Sequence, residues 1–577
     1  MYTDKYEVSV NEDCYPEPRK RRKIWQSLDG EWEFAFGDGT DYPMKIRVPY
    51  AYQCEASGIG NPEQHDVIRY KRTFRLSDEL KNCKTVYLNF LAVDYECTVY
   101  VNGRFAIFHE GGYGDFGADI TPYLTGGEQT IELRVYDPMT RIYPRGKQNW
   151  LEGRQRCWYH CTSGIWQSVW LDGANGDYIT EVRFDTDVEK TQACAFAETA
   201  SGVADEITAT VKTPHGTEQR FTSTTVRDGR LVLNMAFEKP DCVDDIHLWT
   251  IEHPKLYETV LTIRKNGEVL DEIETYFAFR TIRIANGRVY VNSEATELRM
   301  VLNQGYLEGY GLSMPIATIK EDILMAKRLG FNGMRIHQKS ENPWLYYYAD
   351  VLGMYLWAET PSAYAFTPIS TRALLSLQQD VVKRVYNSPS VIAYVPFNES
   401  WGVKEILYSS REQSLAKAAY HLIKSLDDSR LVITNDGWEN VGTTDLIGIH
   451  DYSKYADEFS EKFAAPDESL VPAGRRLMAY GNEIGNKPLM LTEFGGVALA
   501  NGNGWGYCGA EKDNNSFIER FGRLLKNISE CNFCGWCYTQ LTDIEQETNG
   551  LLDSRHKPKF DVGKIREVID LYAKKFY

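Results

Sequence analysis

The chain has 577 residues, 43% of them hydrophobic, and a formal net charge of −17. That length is too great for one core and suggests about three domains, and the acidity argues against a nucleic-acid partner, which needs basic surface to displace counterions. The 37 Tyr and 13 Trp suit sandwich cores and sugar-stacking pockets equally.

Taken from the start, "MYTDKYEVSVNEDCYPEPRKRRK" carries no apolar signal-peptide core. No uninterrupted apolar run approaches the ~18 residues of a membrane helix. A cytoplasmic chain with reduced thiols and no membrane partner is the expectation. Residues 1–180 read as antiparallel β. "KTVYLNF", "CTVYVNGRFAIF" and "TIELRVYD" alternate inward and outward residues, and Asn102-Gly103 is a hairpin signal. Many short strands with Gly-rich turns predict a sandwich or jelly roll. Residues 181–280 repeat the pattern in "EITATVKT", "GRLVLNMAF" and "KLYETVLTIRKNGEVLDEIETYF", with a second hairpin at Asn266-Gly267, and suit an immunoglobulin-like β-sandwich. From 281 to 577 strand and helix alternate. Candidate strands are "ELRMVLN", "FNGMRIH", "MYLWAE", "VIAYVPF", "LVITND", "LIGIHDY", "PLMLTEF" and "FCGWCYTQL". In the helical "TIKEDILMAKRLG", Ile319, Ile323 and Ala326 share a face and Gly330 ends the run. Eight strands with helices between predict a C-terminal (β/α)₈ TIM barrel. "CNFCGWC" puts Cys531, Cys534 and Cys537 at metal-like spacing, but with no fourth ligand nearby it reads as buried thiols, so no metal and no cofactor is expected.

Barrel enzymes gather catalytic groups at the C-terminal strand ends. Glu399 follows the fourth candidate strand and Glu493 ends the seventh. Other ends bring Asn303, Arg335 with His337, Glu359, Asn435 with Asp436, His450 with Tyr452, and Trp536. Two facing carboxylates suit glycosidic-bond hydrolysis, one attacking the anomeric carbon and one protonating the leaving oxygen. Charges ~5 Å apart at an effective dielectric of ~20 repel by roughly 3 kcal/mol, enough to raise one pKa by about two units. Each residue also has a purely structural explanation: Glu399 as the cap of a helix starting near 404, Glu493 in an ordinary turn, His337 and His450 as satisfied core groups, Trp536 as packing. Their collection at one end of consecutive strands favours the catalytic reading.

These residues resemble glycoside hydrolase family 2, the β-galactosidase and β-glucuronidase group. "FNESWG" resembles its acid/base signature, which implies Glu399 as acid/base and Asn398 as the group holding the sugar 2-hydroxyl; "LTEFGG" resembles its nucleophile signature, which implies Glu493. "SLDGEWEF", "EGGYGDFGADIT" and "SGIWQSVWL" are similar to its sugar-binding jelly roll, "WTIEHPKLYETVLTI" to its immunoglobulin-like domain and "YTQLTDIEQETNGLLDSRHKPK" to its post-barrel stretch, so nearly the whole chain is covered. "RIHQK" and "LNQGY" resemble a less-studied subgroup and imply pocket positions for Asn303, Gln304, His337, Gln338 and Lys339. Tyr452 matches a tyrosine that bonds the nucleophile, and Trp536 the tryptophan flooring the sugar pocket. The implied activity is a retaining β-glycosidase acting on a carbohydrate substrate, in a family that often forms homo-oligomers. Lys339 is a candidate partner for a uronate carboxylate, with Arg335 a second cation, a solvated lysine being the alternative; lacking near Asn549 the Asn-x-Lys motif that the family's glucuronidases carry, the chain resembles enzymes for a β-galacturonide or β-galactoside more than for a β-glucuronide. A non-catalytic carbohydrate-binding protein, and a transglycosylase using Trp505 and Tyr507 of "NGNGWGYCGAE" to stack an acceptor, are the alternatives.

Overall fold

In the computed structural model, residues 14–151, 155–237, 247–454, 457–500 and 504–574 are described. The opening stretch through Asp13 and the loop residues Asn501–Asn503 lie outside them.

Alternation builds the first domain. An antiparallel six-stranded sheet runs Met44–Val48, Gly30–Phe36, Val67–Phe74, Gln129–Tyr136, Glu96–Val101, Arg104–Glu110; a four-stranded one runs Trp25–Ser27, Val169–Ala174, Thr85–Phe90, Phe116–Asp119. The inward residues of both, among them Trp32, Phe34, Tyr70, Leu88, Val99 and Leu133, share one core, the layering of a sandwich. The next domain has two four-stranded antiparallel sheets over Ala193, Ala195, Ile207, Leu261 and Ile273. At both Asn-Gly hairpins the two central residues have positive φ, 50° and 74° at Asn102-Gly103 and 51° and 83° at Asn266-Gly267, as a type I′ turn requires.

The third domain is a ring of eight parallel strands: β1 (Leu298–Asn303), β2 (Gly333–Ile336), β3 (Tyr355–Glu359), β4 (Val391–Val395), β5 (Leu431–Val432), β6 (Ile447–His450), β7 (Leu489–Gly495) and β8 (Phe533–Thr539). Their ladder order is 5-4-3-2-1-8-7-6. The seam between β5 and β6 is joined by single bonds, Asp445 N–H to Val432 O at 2.9 Å and His450 N–H to Gly437 O at 3.0 Å, and no helix separates these two strands. Helices cover most other crossovers: α1 (Ile316–Leu329), α2 (Pro343–Leu352), α3 (Pro368–Val385), α4 (Ser410–Leu426), α5 (Asp457–Lys462), α6 (Asn514–Glu530) and α7 (Val562–Tyr572). On α1, Ile319, Ile323 and Ala326 are buried as their spacing requires, and Gly330 ends the helix in the left-handed region at φ 105°. Cys531, Cys534 and Cys537 are buried free thiols.

One irregular segment of the first domain crosses to the barrel mouth. Arg145 and Gly146 donate their N–H groups to Ser362 O beyond β3, at 3.0 and 3.1 Å. Tyr159 donates to Glu547 Oε2 at 2.6 Å beyond β8.

Candidate active site

β4 is buried along its length, and the chain continues as Phe397–Asn398, paired in parallel with Asn435–Asp436. There the backbone turns left-handed at two consecutive non-glycine residues, Glu399 (φ 53°) and Ser400 (φ 57°). Such residues cost of order 1–3 kcal/mol each and persist where neighbours over-determine them. Here Glu399 N–H donates to Asp436 O at 2.8 Å and Ser400 N–H to Asn435 Oδ1 at 3.1 Å. The following helix starts at Ser410 with Ser409 as its cap, so Glu399 caps nothing.

Glu493, near the end of β7, faces it. One carboxylate oxygen from each, with a nitrogen of His450, lie within 4.8 Å of one another. Arg335, fully buried on β2, ties the strand ends together. Its Nε pairs with Glu359 Oε1; Nη1 reaches Glu493 Oε1 at 3.0 Å and Thr492 O at 2.9 Å; Nη2 reaches Asp436 Oδ2 at 3.0 Å and Asn398 Oδ1 at 2.7 Å. By claiming the Asn398 carbonyl oxygen, Arg335 leaves that amide's NH₂ to donate elsewhere. His337 Nδ1 lies 2.9 Å from Glu359 Oε2. His450, on β6, has Nδ1 at 2.8 Å from Glu399 Oε1 and Nε2 at 3.2 Å from Asp436 Oδ2 and 3.4 Å from Glu493 Oε1. The Tyr452 hydroxyl donates to Glu493 Oε2, and Trp401 Nε1 to Glu399 Oε2 at 3.3 Å.

Electrostatics follow from this crowding. Burial alone would discharge His450, but the carboxylates of Glu493, Asp436 and Glu399 lift it to about 10. Burial would likewise raise Glu399; the hydrogen bond and charge of His450, with Lys147 and His337 beyond, outweigh it and hold Glu399 below its usual value. Repulsion between the two acids therefore does not protonate Glu399, contrary to what two bare carboxylates would do, because a cation sits against both. These charges favour the proton on His450, one hydrogen bond from Glu399. Glu399, His450 and Glu493 each bring a donor atom into the range a small cation accepts; His450 Nδ1 faces Glu399, and its Nε2 faces Asp436, Glu493 and, at 3.2 Å, Nη1 of Arg335.

The structure brings together most of the residues singled out from sequence: Glu399, Glu493, Asn398, Arg335, His337, Glu359, His450 and Tyr452. Asn303 and Gln304 close the β1 end, Asn303 Oδ1 accepting from Gly305 N–H at 2.9 Å and Gln304 Nε2 donating to Gln540 Oε1 at 3.1 Å. Trp536 is elsewhere. It sits mid-strand on β8 and packs edge-on against Phe331 and Phe494 in the layer between barrel and helices; the strand runs on to Thr539, whose Oγ1 is 3.4 Å from the Tyr452 hydroxyl. Lys339 also departs from expectation. All three donors of its buried ammonium are taken, by Glu341 Oε2 at 2.6 Å, Gly305 O at 2.7 Å and Leu312 O at 2.8 Å. Of the groups not singled out, Thr492 and Trp401 adjoin the acid signatures, whereas Lys147, Trp158 and Tyr159 arrive from the first domain with no local signal.

A family model described as "Glycosyl hydrolases family 2, TIM barrel domain" matches residues 282–572, with the family's sugar binding domain at 27–173 and a third model of the family at 177–280. The chain belongs to glycosyl hydrolases family 2. Among similar curated proteins are a putative β-glucuronidase of Formosa agariphila, 26% identical over 70% of this chain and 48% of that one, and a β-galactosidase of Kluyveromyces lactis, 23% identical over 83% and 48%. The chain thus spans about half the length of the curated relatives it matches. Similar solved structures include a β-glucuronidase from Ruminococcus gnavus, with a TM-score of 0.76, 19% identity and coverage of 98% and 100%, and a β-galacturonidase from Eisenbergiella tayi bound to galacturonate, at 0.75, 16%, 98% and 100%. At these identities the structures show a shared fold. No helix among the described residues is long and apolar enough to cross a membrane.

Proposed function

We propose that the protein is a retaining exo-β-glycoside hydrolase that removes a terminal galacto-configured sugar, a β-galacturonide or β-galactoside, through a covalent glycosyl-enzyme. The observation that carries this reading is the separation of Glu399 and Glu493, oxygen to oxygen within 4.8 Å. Retaining enzymes hold their carboxyl groups at about 5–5.5 Å, whereas inverting ones need about 6.5–9.5 Å to admit a water. In this reading Glu493 Oε1 or Oε2 attacks the anomeric carbon as its bond to the leaving oxygen breaks. Glu399 gives that oxygen a proton drawn from His450 Nδ1 across their 2.8 Å contact. Water then attacks the glycosyl ester, Glu399 taking its proton, and Glu493 leaves as carboxylate. The Tyr452 hydroxyl and Arg335 orient Glu493. The spare NH₂ of Asn398 donates to a sugar hydroxyl.

Proteins of the same fold named β-galacturonidase and β-glucuronidase, and relatives named β-galactosidase, support acidic and neutral sugars as the substrates to compare. β-Glucuronidase activity is the second reading, favoured by the Formosa and Ruminococcus names. A panel of nitrophenyl β-galacturonide, β-galactoside, β-glucuronide and β-glucoside tests both, with Glu493→Gln expected to abolish turnover of whichever is cut. Binding without turnover of any glycoside would replace hydrolase with a carbohydrate-binding role, and transfer to an added sugar acceptor in preference to water would make it a transglycosylase.

A further inference from the structure

Beside the acid pair lies a cleft between the first domain and the ends of β1 and β2, lined by Lys147, Tyr159, Gln304, Tyr306, His337 and Gln338. Among the described residues every other cation near the acids is committed. Arg335 faces Glu359, Asp436 and Glu493; His450 faces Glu399 and Asp436; His337 faces Glu359; Lys339 is consumed by Glu341 and two carbonyls. Lys147 is different. Among the described residues its ammonium has no carboxylate within ion-pair distance and no hydrogen-bond acceptor, and it stands over the rings of Tyr159 and Trp158, 5.7 and 6.0 Å from their centroids.

The position is built and not incidental. Gly146, at φ 60°, presses its backbone on the loop after β2 so closely that a Cβ there would lie 2.3 Å from Gln338 O. Lys147 O accepts from Tyr159 N–H at 2.9 Å, and Trp158 Nε1 donates to the Tyr364 hydroxyl at 2.8 Å. The carboxylates within electrostatic reach, Glu547, Glu399 and Glu493, are already served: Glu547 by Tyr159, Glu399 by His450, Glu493 by Tyr452. An ammonium partly withdrawn from water without a partner is costly unless an anion arrives with the ligand. Two buried amide oxygens on the same cleft, Gln304 Oε1 and Gln338 Oε1, have no donor. The cleft thus offers a cation and two acceptor oxygens, complementary to one carboxylate and at least two hydroxyls.

We propose that Lys147 is the specificity-determining cation of the site, pairing with the C6 carboxylate of a uronic-acid sugar whose hydroxyls donate to Gln304 and Gln338. The kinetic consequence rests on the glycosidase reading; the binding consequence does not.

Two variants test this, Lys147→Met, which keeps the stem and removes the charge, and Lys147→Arg, which keeps the charge. The readouts are the ratio of kcat/KM for nitrophenyl β-galacturonide over nitrophenyl β-galactoside, and calorimetric affinities for free galacturonate and galactose. Losing a charge-assisted contact should lower the uronide-to-galactoside ratio in the Met variant roughly tenfold to hundredfold, chiefly through KM, with galacturonate affinity falling in parallel and the Arg variant retaining most of both. An unchanged ratio and unchanged galacturonate affinity in the Met variant would overturn the proposal, as would a wild type that neither binds nor cleaves uronides. A wild type that cleaves no glycoside, yet loses galacturonate affinity on Lys147→Met, would end the hydrolase reading and leave this one standing.

Discussion

Replacing His450 with Gln removes a charge that touches both acids while keeping a donor of similar reach. The distance from an ordinary histidine value near 6.5 to about 10 corresponds to roughly 5 kcal/mol of net preference for the charged ring. In the wild type, the proton needed by the leaving group is held by the His450–Glu399 pair, so the alkaline limb of the kcat/KM profile should fall near pH 10. In the Gln variant Glu399 must carry that proton itself. Without the imidazolium charge its value rises from below the usual carboxylate range, through burial and the facing Glu493. The alkaline limb should therefore move from near pH 10 to the acid side of neutrality, and at pH 8 the variant should have lost about 10²–10³ in kcat/KM, within the range of general acid catalysis. The assay is kcat/KM between pH 4 and 10.5 on two substrates, a nitrophenyl and a dinitrophenyl glycoside. The second leaving group departs without protonation, so the defect should shrink on it. An alkaline limb that stays in place in the variant, or an equal defect on both substrates, would refute the reasoning and return the acid role to a Glu399 raised by repulsion alone.

Stability should carry the same signature. The folded-state value of His450 is raised, so its contribution is complete below about pH 6.5 and is lost as pH climbs through about 10; denaturant midpoints of the wild type should fall from pH 7 to 10, and those of His450→Gln less. Tyr452→Phe removes the hydroxyl that donates to Glu493; a bond to a charged acceptor is worth about 1.5–3 kcal/mol, so unfolding free energy should fall by up to that amount, and kcat about tenfold to a hundredfold as Glu493 loses its orienting donor. Gly146→Ala puts a Cβ against Gln338 O in a left-handed backbone; a loss of about 1–3 kcal/mol in unfolding free energy is expected, with a lower kcat/KM as the Lys147 segment shifts. A fully stable, fully active Gly146→Ala would show that this segment is not pinned to the barrel.

Much of this was legible in the residues themselves. All eight barrel strands coincide with largely apolar runs, because a strand buried on both faces carries few polar positions to blur it. Glu399, Glu493, Arg335, His450 and Tyr452 stand out as polar residues closing such runs. Trp536 misled because its strand extends three residues further, to Thr539, than the aromatic suggested, and at mid-strand a side chain points to core layers and not to the mouth. Lys339 misled because charge in sequence says nothing of partners: Glu341, two residues on, turns back to neutralise it. Lys147 was invisible for a third reason. It lies about 250 residues before the first acid signature, on an irregular segment whose course depends on Gly146 meeting Gln338 and on Tyr159 meeting Glu547, contacts between domains that no periodicity encodes. The proton's place on His450 needed geometry too, since three carboxylates from β4, β5 and β7 converge on it.

In the proposed reaction Glu493 becomes covalently glycosylated while Glu399 handles the proton. Incubation with a 2-deoxy-2-fluoro-β-glycosyl fluoride of the preferred sugar, followed by peptide mass mapping, tests it most directly. A one-to-one fluoroglycosyl adduct on Glu493, slow to hydrolyse, is the predicted result. An adduct on Glu399 or any other residue, or turnover of an aryl glycoside with inversion at the anomeric centre, would contradict it.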